Sequence, residues 1–150
     1  MKNTRKRLLS LILCIAMLAA FVVLEQPEVQ AAHYDNYTTI ATIKNNGDCY
    51  SMQGCCVDDS YIYCSKIDSE NDNIAAIART RISDGSVTWM TNSANGTNYF
   101  YQLAHANDLD IATISGVKTM FVATGSAGKG DHSLVRFAMN GRTLTQVGNY

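Results

Sequence analysis

Hydrophobic residues along this chain gather in short runs, and polar clusters rich in Asn, Asp, Ser and Gly separate the runs. That is the pattern of β-strands joined by tight turns. It is clearest between His105 and Gly125. Leu109–Ile114 alternates, with Leu109, Ile111 and Ile114 as its larger apolar members, and predicts a strand. Thr119–Thr124 (TMFVAT) is nearly continuous apolar, as expected of a strand covered on both sides, and Ser115-Gly116-Val117 makes the turn between the two. The same pattern predicts strands over Tyr37–Lys44, Gly54–Val57, Tyr61–Ile67, Ile74–Ser83, Ser86–Thr91, Leu134–Met139 and Arg142–Val147, with Tyr99–Leu103 as a lead-in. Asp84-Gly85 and Asn140-Gly141 are hairpin dipeptides, because their glycines accept positive φ. Only Ile74–Arg81, with three alanines, offers a helical alternative.

Two groups of strands repeat. Tyr61–Lys66 matches Thr119–Thr124 at a spacing of 58 residues, Ile77–Ile82 matches Leu134–Met139 at 57, and the two hairpin dipeptides match at 56. Four antiparallel strands recurring in this way are the signature of a β-propeller blade. The expected fold is therefore all-β, with β-propeller-like blades of four antiparallel strands. Residues 1–31 stand outside it, 32–48 form a lead-in with a ring-closing strand, 49–98 a first blade and 99–150 a second. An eight-stranded sandwich is the competing architecture, but it does not require the same strand order and turn chemistry twice. Propellers close with about four to eight blades. The chain stops after Asn149-Tyr150, where a next inner strand is due, so it is expected to be the N-terminal piece of a longer propeller or to assemble with copies of itself.

The first residues carry a different message. Lys2, Arg5, Lys6 and Arg7 precede an apolar run, Leu8–Leu24, broken only by Ser10, and Val29-Gln30-Ala31 offers a cleavage site before Ala32. This is the order of a secretory signal peptide. The run falls slightly short of the about 20 residues of a membrane span, and Cys14 follows Leu13, a poor setting for a lipoprotein cysteine. The expectation is a secreted protein with no membrane association after cleavage. The first 31 residues hold four of the 12 basic and two of the 13 acidic residues, leaving 8 against 11 and a net charge of −3. No Lys/Arg patch remains, which argues against a nucleic-acid partner.

Candidate chemistry is sparse. His105, Asn107 and Asp108 stand just before an innermost strand, where the connection opens on one face beside the channel of a propeller. A His, an amide and a carboxylate there suit a sugar, a metal ion or a peptide; alternatively they tie one blade to the next through side-chain-to-backbone hydrogen bonds. The matching place in the first copy, Met52-Gln53-Gly54, lacks both the His and the acid. Beyond the signal the cysteines are Cys49, Cys55, Cys56 and Cys64. A hairpin turning at Asp59-Ser60 sets Cys55 opposite Cys64 and Cys56 opposite Tyr63, a spacing that suits a cross-strand disulfide, with Cys49–Cys56 completing an even set. Free buried thiols are the alternative, and the spacing C-x5-C-C-x7-C lacks the paired knuckles of a zinc site.

Other motifs are weaker. Asp68, Glu70 and Asp72 alternate without the Gly and distal Glu of a calcium loop and read as a solvated loop. Gly125–Gly130 lacks the final Ser or Thr of a phosphate loop. Neither a G-x-S-x-G nucleophile nor a standout pair of carboxylates occurs, so no catalytic residues, resident metal or cofactor are expected. Tyr61, Tyr63 and Trp89 read as strand packing, although Trp89, Tyr99 and Tyr101 fall where a face is exposed.

Over residues 50–150, through MQGCCVDDSYIY, HANDLDIA, MFVATG and SLVRFAMNG, the chain resembles the secreted β-propeller repeat proteins of Gram-positive bacteria. It is also similar to the helveticin-like bacteriocins, in a polar His-led turn, an aromatic-Val strand and an Ala-Arg strand. These motifs form blades and carry fold better than function. The resemblance implies a non-enzymatic binding module for an extracellular protein or glycan. The helveticin-like similarity implies instead killing of related bacteria at the cell envelope. A third expectation is a piece of an extracellular hydrolase or lyase whose catalytic residues lie in other blades.

Overall fold

In the computed structural model, β-branched and aromatic runs bounded by turn residues form nine strands among the described residues, which are 37–68, 70–71, 74–125 and 133–150. The strands are β1 (Cys49–Val57), β2 (Tyr61–Asp68), β3 (Ala75–Arg81), β4 (Val87–Trp89), β5 (Thr91–Asn92), β6 (Asp108–Ile114), β7 (Val117–Ala123), β8 (Leu134–Asn140) and β9 (Thr143–Asn149). All belong to one unit, Thr38–Tyr150. The expected signal peptide and most of the Gly125–Ser133 loop lie outside the described residues.

The turns follow the local chemistry. Asp58 Oδ1 accepts the backbone N–H groups of Ser60 and Tyr61, both at 2.8 Å, and so closes the β1–β2 hairpin as an Asx turn. Ser115 and Gly116 both take positive φ, 50° and 79°, as a two-residue primed hairpin requires. The β3 segment is a strand and not a helix: its small residues Ala76 and Ala78 are buried on the face opposite Ile77, between β2 and β4.

β1-β2-β3-β4 form one open antiparallel sheet in sequence order, and β6-β7-β8-β9 form a second. β5 adds to the outer strand of the second sheet, parallel to β9. The expected strand Ser86–Thr91 is thus split. Met90 turns its side chain into the core, and Thr91 N–H then donates to the Arg142 carbonyl at 2.7 Å, carrying the chain to the other sheet. The lead-in to β6 contains a 3-10 turn, Tyr101–Leu103.

Tyr37–Lys44 forms no strand; its residues pair with no ladder among the described residues. The physical reason is Lys66, a buried cation in β2 that must find acceptors. Its ammonium donates to Asn45 Oδ1 at 2.8 Å and to the carbonyls of Lys44 and Ile43 at 3.4 and 3.5 Å. The segment is drawn across the side chains of Ile62 and Thr80 instead of along a sheet edge.

One face of each sheet builds a common core. Tyr63, Ile67, Ala75 and Ile77 of the first sheet share it with Leu109, Met120, Val122, Val135, Phe137 and Leu144 of the second; Met90, Phe100, Leu103 and Ala106 fill it from the connection. Phe100 meets Phe137 edge-on, ring centres 5.7 Å apart. β1 runs alongside β6. The approach is closest at Gly54, where a Cβ would stand 2.6 Å from Asp108 Cα and 2.8 Å from the Asn107 carbonyl oxygen. β1 is irregular between Met52 and Cys55, and Ser65 repairs the ladder there. Its hydroxyl accepts Gly54 N–H at 2.9 Å and donates across the seam to the Ala106 carbonyl at 2.7 Å.

Where β1 and β6 end, Asp58 also joins the sheets. It accepts the Tyr63 hydroxyl at 3.0 Å and pairs with Lys118 at the start of β7. Burial alone would raise this carboxyl, but hydrogen bonds from Lys118, Ser60, Tyr61 and Tyr63 outweigh it and hold the pKa below the ordinary value. With its folded pKa below the unfolded one, Asp58 stabilises the fold above the carboxylate range, and the contribution disappears as pH falls through the depressed value. Asp58→Asn is expected to cost about 2 kcal/mol at pH 7 and to flatten the acid limb of a stability–pH curve below pH 4; urea unfolding across that range measures both.

Candidate functional site

The starts of β1 and β6 lie at the same end of the two sheets, opposite the Asp58–Lys118 clamp, and the sequence candidates gather there. His105 is half-buried, while Asn107 and Asp108 are exposed. Their backbone is tied down. His105 N–H donates to the Gly125 carbonyl at 3.1 Å, Asn107 N–H to Ala123 at 2.9 Å, and the Ala106 carbonyl receives Ser65. Among their side chains, Asp108 Oδ1 accepts the N–H of neighbouring Leu109 at 2.9 Å. The backbone bonds of His105 and Asn107 stay within the second sheet, and the tie to the first sheet is the Ser65 hydroxyl on the Ala106 carbonyl.

Two alanines pay for the path of this segment in backbone strain. Ala104 has φ 47° and ψ −124°, and Ala106 has φ 43°. Each costs roughly 1–3 kcal/mol for a residue with a Cβ. They bracket His105, so its position is held by the surrounding structure and not by local preference.

Beyond the prefix, Asp48, Cys49, Ile74, Tyr99 and Tyr101 line a cleft of about 180 Å3. Gly47, at φ 56°, forms the turn before β1, and its missing side chain leaves room for the Tyr99 hydroxyl. Ala75 and Phe100 exchange backbone hydrogen bonds at 2.8 and 3.3 Å, fixing the aromatic segment against β3. Tyr101 remains 57% exposed at the mouth. Cys49 is buried at the floor, and its thiol donates to the Ile74 carbonyl at 3.6 Å. Burial first, then the charge of Asp68, push its pKa up. The lining combines one carboxylate, two phenols and an apolar floor, which suits binding of a polar ligand with apolar patches.

Sequence reasoning set Trp89, Tyr99 and Tyr101 near an exposed face; Tyr101 is exposed and the other two half-buried, and Asp48 and Ile74 escaped it because the cleft joins segments far apart in the chain. Asp68, read as part of a solvated loop, is the buried last residue of β2. Trp89 is half-buried in β4 opposite Ala78, and the Arg79 guanidinium stacks 4.3 Å over Tyr61. A second cleft, about 330 Å3 and lined by Asp59, Ser60, Tyr61, Arg81, Ile82 and Ser83, lies at the opposite end, where Arg81 is already paired with Asp84 at 2.9 Å.

The cysteines follow the hairpin geometry: Cys55 is the ladder partner of Cys64, and Cys56 of Tyr63. All four thiols, Cys49 included, are free in this structure. Burial, then Asp110, Cys55 and Cys64, push Cys56 up to about 12; burial, then Cys55, also raises Cys64. Among the described residues no three His, Cys, Asp or Glu side chains are gathered closely enough to hold a metal ion. Compared with known proteins, the chain matches no family model, no curated protein and no solved structure.

Proposed function

We propose that this chain is a secreted, non-enzymatic binding module of propeller-type blades that holds an extracellular protein or glycan at the end where β1 and β6 begin. The observation that carries this reading is the Asp48–Tyr99–Tyr101 cleft, open at the same end as the strained His105–Asp108 segment. Aromatic faces suit the apolar side of a sugar ring or a peptide side chain, and a carboxylate suits hydroxyls or a cationic group. The blade interpretation is supported by two consecutive four-stranded meanders whose first strands run side by side.

The test is binding to a glycan array and to extracellular proteins, read by calorimetry. Tyr101→Ala is expected to weaken binding at least about tenfold with an unchanged melting temperature, since Tyr101 is exposed. His105→Ala and Asp108→Ala report whether the neighbouring prefix shares the ligand. Equal affinity in all three variants sinks this site. Turnover of a bound glycan favours the hydrolase or lyase reading, and killing of sensitive bacteria by the purified protein favours the helveticin-like one.

A further inference from the structure

We infer that the outer face of the second sheet is a docking surface for the first sheet of another copy of this chain. Head to tail, it repeats the contact that joins the two sheets within one chain. The inference rests on the sheet repeat and not on what the cleft binds; only the ring size below uses the blade reading.

The ladders assign every strand residue to a face. On the first sheet, Tyr61, Tyr63 and Ser65 of β2 and Ile77 and Arg79 of β3 look toward the second sheet. Carried along the repeat, they become Thr119, Phe121 and Ala123 of β7 and Leu134 and Arg136 of β8. All five of these lie on the second sheet's outer face, away from the core. The face that makes the intersheet contact in the first copy is thus present in the second copy without a sheet against it. Ile77 is fully buried and its counterpart Leu134 is 38% exposed, whereas Thr119 on the same outer face is buried. Ile114, Val117 and Val147 are also exposed there, and Ile114, Val117, Thr119, Arg136, Ala138 and Val147 line a groove of about 220 Å3.

The complementary face exists too. Ile62, Cys64, Ala78 and Thr80 on the outer side of the first sheet are the counterparts of Met120, Val122, Val135 and Phe137, which receive the first sheet inside one chain. Val57, beside Ile62, is 64% exposed, whereas Ile111, which holds the same place beside Met120, packs on the core.

One polar contact fixes the register. Arg79 crosses to the second sheet and donates to the Gly141 carbonyl, in the Asn140-Gly141 turn, at 3.0 Å. Its counterpart Arg136 rests on the Tyr150 ring at 5.6 Å and on the Val147 carbonyl at 3.5 Å. In the docked pair Arg136 reaches the Gly85 carbonyl of the second copy, because Asp84-Gly85 is the counterpart turn. The cover now over Gly85, Ile62 and Thr80 is Thr38–Ile43, which forms no ladder and must be displaced for this face to dock, with its Ile43 carbonyl leaving the Lys66 ammonium. A head-to-tail contact either closes a ring or grows a filament. Rings of about four to eight blades correspond to roughly two to four copies.

Light scattering on the purified protein from low micromolar to several hundred micromolar tests this, with two variants at exposed positions that leave the fold intact. Leu134→Glu spoils the outer face of the second sheet, and Val57→Glu spoils the first sheet. Each alone is expected to lose association by at least about tenfold. Mixed, they retain one intact pair of faces and are expected to form a 1:1 dimer that grows no further. A wild-type chain that stays monomeric throughout, a Val57→Glu variant that associates by itself, or a mixture that stays monomeric overturns the inference.

Discussion

Replacing Gly54 by alanine is expected to destabilise the fold by about 3 kcal/mol, the upper range for overpacking a closed core. The residue is buried, and its φ does not require glycine, so the whole cost is steric. Its new methyl would stand 2.6 Å from Asp108 Cα and 2.8 Å from the Asn107 oxygen. Both obstacles are backbone, with no flexible side-chain end to yield. The inner strands must separate, which also stretches the Ser65 bond to Ala106. For a unit of this size the melting temperature should fall by roughly 10 °C. Gly116→Ala is the control: nothing lies within 4 Å of its Cβ, and only the positive φ of 79° is strained, about 1 kcal/mol. A Gly54 variant as stable as that control would show that the strands are not in such close contact.

Phe137→Ala is expected to cost about 4 kcal/mol. Phe137 is fully buried between the sheets and meets Phe100 edge-on, so truncation removes a large buried ring and an aromatic pair. Phe121, one strand over, points to the outer face and is half-buried. Phe121→Ala in dilute protein should cost less than half as much. Chemical denaturation of both variants measures the difference, and equal losses would contradict the assignment of faces.

Much of the β architecture was legible because turn chemistry is local. Placing the hairpin at Asp59-Ser60 was enough to put Cys55 opposite Cys64, and Asp84-Gly85 and Asn140-Gly141 marked real turns. The repeat then put the strands in the same order twice. What escaped depended on distant groups. Tyr37–Lys44 has the alternation of a strand, but the buried ammonium of Lys66 takes its last carbonyls. The break at Met90 answers to a core pocket, and β5 to an edge supplied by β9 more than 50 residues later in the chain. The site shows the same division. His105, Asn107 and Asp108 stood out as a polar cluster, whereas the strain beside them sits on Ala104 and Ala106, residues that carry no turn signal. The cleft needed Asp48 and Tyr101 to meet, which no local pattern announces.

The short strand β5 has a consequence for solubility. An unpaired strand edge is a template on which further chains can add, the usual route to fibrous aggregates. Here the chain's own Thr91–Asn92 covers the outer edge of the second sheet at Thr143 and Leu144, and the outer edge of the first is β4, only three residues long. Strand addition is blunted where these short strands lie, which favours side-chain faces as the surfaces through which this fold can recruit another sheet.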